Sequence, residues 1–119
     1  MSAAKRRDPV TFDTVRELAL RLPGVQDGTS YGTPALKVGK ALMVRLKEDG
    51  ETIVLKTDFA QRDLLRRSAP ETFFVTDHYR DHPWVLVRLA SVGRLELTEL
   101  LRDAWELAHT KHSRRAKGR

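Results

Sequence analysis

Apolar positions along the chain recur with two different periods, and each change of period marks an element. From Phe12 the spacing is helical, with Phe12, Val15, Leu18, Ala19 and Leu22 on one stripe. Thr11 stands where an N-cap belongs, Asp13 favours the dipole in the first turn, and Val10 and Val15 fit a hydrophobic staple. Pro23-Gly24 stops this helix, which is expected over 12–22. The next stretch, GTSYGTPALKVGK at 28–40, has three glycines and a proline and predicts short strands with turns. Strand patterns follow in ALMVRLK (41–47) and TIVLKT (52–57), joined by the turn EDGE as a hairpin.

Asp58 is placed to cap a second helix over 59–68, with Gln61 at the capping-box position and Pro70 beyond its end. Residues 72–76 and 84–90 read as strands. Leu97, Leu100, Leu101, Ala104, Trp105 and Ala108 form the apolar stripe of a last helix. The order is helix, strands, helix, two strands, helix, with short turns between neighbouring strands. It predicts an α+β fold: a two-layer sandwich with helices on one face of a mostly antiparallel, five- to six-stranded sheet. One domain is expected over 11–108, between a flexible basic N-terminus (1–10) and a flexible basic tail (109–119).

Strict alternation sorts the strand residues by face. Leu42, Val44 and Leu46, then Ile53 and Leu55, then Val85, Val87 and Leu89 are expected beneath the helices. The opposite parity collects Met43, Arg45, Lys47, Val54, Lys56, Trp84, Leu86 and Arg88, joined by Lys37 if Leu36 and Val38 point inward. An uncovered face of this kind mixes cations with apolar side chains, as a phosphate-and-base surface would. It is also what solubility asks of a half-exposed sheet, since lysine and arginine stems cover apolar surface.

Charge changes this picture less than its total suggests. The net charge of the 119-residue chain is +6. Residues 1–8 and 109–119 together hold eight basic side chains and one acid, so the body between them is close to neutral. Basic ends can hold phosphates or simply keep a protein soluble. With no cysteine, disulfides and thiolate chemistry are excluded. No apolar run suggests a membrane span, and MSAAKRRDP lacks the apolar core of a secretory signal, so a cytoplasmic protein is expected.

Candidate chemistry centres on DHYRDHP, where His78 and His82 stand four apart beside Asp77 and Asp81. That spacing matters only on a helix, and Pro83 disfavours a helical conformation at His82. A zinc site needs three or four ligands in fixed geometry, which nothing here supplies. The serines lack a nucleophile elbow, and the glycines are not spaced as a phosphate loop. No cofactor or metal is expected. An enzyme would need a pocket with paired titratable groups, and Tyr31, His78, Tyr79, Asp81 and His82 are the first place to look for it.

The segments TFDTVRELALRLPGV, GTSYGTPALKVGK, LMVRLKEDGETIVLK, PETFFVTDHYRDHPWVLVRL and LTELLRDAWELA, in this order and spacing, resemble the YjbR/MmcQ family of small bacterial proteins. The resemblance runs from about Thr11 to Ala108. It implies a frataxin-like (CyaY-like) sandwich that offers strand hairpins to DNA as two wings, and it brings no catalytic residues. The acidic iron-handling ridge of frataxins does not carry over, since Asp13 and Glu17 face Arg16 and Arg21 on the first helix.

The expected function is therefore non-enzymatic, salt-sensitive and non-specific DNA binding. Candidate contacts, chosen by face and sign, are Lys37, Lys40, Arg45, Lys47, Lys56, Arg80, Trp84 and Arg88, with Lys111, Arg114 and Arg115 in the tail. The alternative is a small-ligand- or protein-binding module that uses the exposed sheet face around Trp84.

Overall fold

The computed structural model describes the backbone of residues 9–117 and the side chains of residues 9–110. Helix α1 spans Phe12–Ala19 and starts at Thr11, whose N–H donates to the Thr14 hydroxyl at 3.2 Å. Four strands follow: β1 (Val25–Ser30), β2 (Thr33–Val38), β3 (Ala41–Leu46) and β4 (Thr52–Lys56). Helix α2 covers Phe59–Ser68, where Asp58 accepts from the Gln61 N–H at 2.8 Å as a cap should. Strand β5 (Phe73–Phe74), a short 3-10 turn at Asp77–Tyr79 and strand β6 (Trp84–Arg88) lead to α3 (Arg94–Lys117).

The sheet is open and antiparallel throughout, in the order β1-β2-β3-β4-β6-β5. Helix α3 lies along β2, β3 and β4, α1 packs on α3, and α2 sits against β5 and β6. The main core forms on this inner face from Val15, Leu36, Ile53, Leu55, Val85, Val87, Leu97 and Leu101, among others. Burying a side chain of this size is worth about 1.5–3 kcal/mol, which fixes strand register wherever one face is covered.

Three expectations change. First, β3 carries a bulge. Leu36 pairs with Val44 but Lys37 pairs with Leu42, so Met43 is the extra residue. Parity flips there: Met43 lies in the inner core, while Leu42 is only half-buried and opposite Lys37. Second, the outer face is not bare. Tyr79, Val75 and Phe74 pack against Val54 and Leu86 in a second small core across its middle. Third, α3 runs past Ala108, where its apolar stripe ends, through to Lys117. No proline or glycine interrupts that stretch before Gly118.

Among the described residues, no helix is long and apolar enough to cross a membrane.

Candidate functional site

The outer sheet face can be read row by row from the strand register. Its middle row is Gly28, Ala35, Arg45, Val54, Leu86 and Phe74. The segment after β5 crosses this row, with Tyr79 seated on Val54 and Leu86. What stays open is one cationic zone toward each end of the strands.

Burial takes Arg45 out of the set of surface contacts. It is 5% exposed. Its Nη2 donates to the Tyr79 hydroxyl at 2.9 Å, and its Nη1 donates to the Thr33 hydroxyl at 3.2 Å. Glu48 stands 3.6 Å from it, and the Tyr31 ring lies 5.2 Å from the guanidinium carbon. Alternation does aim Arg45 outward, but the covering segment encloses it. Arg45 is thus a structural cation and not a free one.

At one end lie Lys37, Leu42, Lys56 and Trp84. Lys37 pairs with Leu42, and Lys56 with Trp84. The Lys56 ammonium sits 5.0 Å from the centroid of the Trp84 ring, a cation–π contact that holds charge and aromatic surface together. Lys40 is exposed in the β2–β3 turn next to this row. Neither Lys37 nor Lys40 has an acid within ion-pair distance among the described residues.

At the other end stand Lys47 and Arg88. Lys47 is 3.9 Å from Glu48. A hydrogen bond from its own backbone holds the Glu48 carboxyl below the usual range against partial desolvation, helped by the charges of Arg45 and Lys47. Glu48 is therefore ionised at neutral pH and offsets part of this zone's charge. Arg88 lies over the Phe74 ring at 4.0 Å and donates to the Glu71 carbonyl at 3.2 Å. Arg80 is exposed in the connection before β6 and pairs with Asp77. The expected set therefore divides into Lys37, Lys40, Lys56 and Trp84 at one end, Lys47 and Arg88 at the other, and Arg80 apart. The side chains of Lys111, Arg114 and Arg115 lie outside the described residues.

The cations around α1 are paired differently. Arg16 bridges Asp13 and Asp27 at 2.8 and 3.0 Å, and its bond with Asp27 raises its pKa further. Arg21 and Arg94 both reach Glu17. These cations are neutralised locally, whereas Lys37 and Lys40 are not.

The histidine segment shows no convergent chemistry. His78, Asp81 and His82 are exposed, and only Tyr79 of that group is buried. Among the described residues, no three His, Asp or Glu side chains are arranged to hold a metal ion.

Pattern reading missed Arg62. It sits on α2 amid polar neighbours, yet it is 6% exposed. Its Nη1 donates to the carbonyls of Tyr79, His82 and Trp84 at 3.1, 2.7 and 3.1 Å, and its Nη2 to that of Arg80 at 2.8 Å. One guanidinium thus clamps the backbone of the segment that covers the sheet. Also unforeseen is a shallow cleft of about 540 Å³ between α2 and β5, lined by Asp63, Arg66, Arg67 and Phe74 among others.

A family model described as YjbR matches residues 20–107. The fold is similar to the crystal structure of Deinococcus radiodurans protein DR2400, with family-model domain DUF419. That likeness has a TM-score of 0.75 and 25% identity, and covers 88% of this chain and 83% of that one. No curated protein matches the chain.

Proposed function

The chain belongs to the YjbR family, and from that premise we propose that it is a non-enzymatic DNA-binding protein that holds phosphates through the outer face of its sheet. The observation that carries this reading is the zone of Lys37, Leu42, Lys56 and Trp84, with Lys40 in the adjoining turn. Charge for a phosphate backbone and apolar surface for a sugar or base stand side by side there. The cations around α1 are paired with acids, whereas Lys37 and Lys40 keep their charge available to a phosphate.

Binding of this kind is led by phosphates, so it is weakly selective for sequence and falls steeply with salt. The test is a titration of duplex and of single-stranded DNA at about 50 and 200 mM salt. Binding of either that drops sharply between the two supports the reading, and no binding of either at the lower salt ends it. The alternative, docking of a protein on the same face, has less surface to use because Tyr79 and Val75 cover its middle. A partner retained after nuclease treatment would favour that alternative.

A further inference from the structure

Strands β1 and β2 are joined by two residues, Tyr31 and Gly32, both with positive φ (55° and 80°). This is the backbone of a tight hairpin turn that prefers Asn, Asp or Gly at its first position. A tyrosine there is held in the left-handed region at a cost that Asn or Gly would largely avoid. The side chain does not recover that cost by burial, because Tyr31 is 80% exposed. Its hydroxyl makes no hydrogen bond among the described residues.

The ring nonetheless has one partner, and that partner is anchored. The Arg45 guanidinium lies 5.2 Å from its centroid and is itself held by Tyr79, Thr33 and Glu48. Thr33 in turn donates to the Ser30 carbonyl at 2.9 Å and closes the hairpin end. Cations of the neighbouring zone follow on the same sheet face: Lys47 two residues beyond Arg45, and Arg88 opposite Thr52. An exposed, pre-positioned aromatic ring beside cations is the arrangement on which unpaired bases stack while their phosphates are held.

We propose that Tyr31 is a stacking platform for an unpaired nucleobase, so that the DNA taken by this fold is single-stranded or locally opened. This rests on the DNA-binding reading above and names its substrate class. Exposure at the hairpin tip, and not the sheet face alone, then sets the preference.

The test uses a single-stranded oligonucleotide carrying 2-aminopurine and a matched duplex, titrated with the wild-type chain, Tyr31→Phe and Tyr31→Ala at about 50 mM salt. Wild type and Tyr31→Phe should quench the probe and prefer the single strand. Tyr31→Ala should lose roughly 5- to 150-fold in single-strand affinity, the loss expected for one stacked base, and little for the duplex. Thermal melting of each variant checks that the fold is kept. Unchanged single-strand binding and quenching by Tyr31→Ala would overturn the inference while leaving the phosphate reading intact, with the ring then open to a protein partner. An equal loss for strand and duplex would overturn it too, since the ring would then contribute to binding without stacking on an unpaired base. A wild-type chain that binds neither probe overturns the DNA reading and this inference together.

Discussion

The Arg45 guanidinium and the Tyr79 hydroxyl meet at 2.9 Å across the outer face of the sheet, 34 residues apart in the chain. The pairing ties the covering segment to β3 and buries a charge that alternation aims at solvent. Tyr79→Phe removes the acceptor and leaves a buried guanidinium N–H unsatisfied, at a cost of about 1–3 kcal/mol. Urea denaturation should show a lower midpoint. Arg45→Met should also destabilise the fold, yet leave the salt dependence of DNA binding unchanged. A salt slope reduced by about one in that variant would make Arg45 a phosphate ligand after all.

Arg62 holds the same segment through four backbone carbonyls. Arg62→Leu keeps the stem's bulk but removes every donor, and should cost about 2–4 kcal/mol. Amide hydrogen exchange should rise first between Tyr79 and Trp84 and spread to β6 only near global unfolding. Uniform acceleration across the sheet, with no local opening, would show that the clamp is not the segment's main tether.

Most of the elements were legible because their signals are local. The Asp58 cap, Gln61 and Pro70 bracket α2 within one short stretch, and the strand pair around EDGE is set by alternation and its turn. The face assignment failed at Met43, because a bulge shifts parity without any sequence signature and its cause is the pairing of β2 with β3. The cover over Val54 and Leu86 was hidden for a similar reason. Tyr79 is one aromatic residue within a polar run, and its partners Arg45 and Arg62 lie 34 and 17 residues away. Charge and face together put Lys37 with Lys56 and Trp84 correctly. They could not separate these from Arg45, whose burial depends on a residue distant in sequence.

The cationic zone makes a sharper claim than net charge does. Replacing Lys37, Lys40 and Lys56 by Gln removes three charges from the surface. The salt slope of DNA binding should fall by roughly 0.9 for each phosphate that is no longer neutralised. Stability should change little for Lys37 and Lys40, and slightly for Lys56 through its cation–π pairing with Trp84. A triple variant with an unchanged slope would move phosphate binding to Lys47 and Arg88 or to the basic ends.

Asp49 gives the hairpin between β3 and β4 a pH dependence whose sign is fixed by its hydrogen bonds. Its carboxylate accepts from the Glu51 N–H at 2.8 Å, the Thr52 N–H at 3.0 Å and the Thr52 hydroxyl at 2.9 Å. Partial burial pushes the carboxyl up, but these bonds outweigh it and, with Lys47, hold it below the usual aspartate range. A folded-state pKa that is lowered stabilises the fold above the unfolded value and loses that contribution as pH falls through the folded one. Asp49→Asn should therefore be less stable than wild type by about 1 kcal/mol at neutral pH. The gap should close as pH drops below about 4, where the unfolded carboxyl takes up its proton. Thermal midpoints of the two chains between about pH 7 and 3 would show the convergence. A gap constant over that range would mean that Asp49 acts through shape alone, because a carboxylate that stabilises by its charge must lose that stabilisation on protonation.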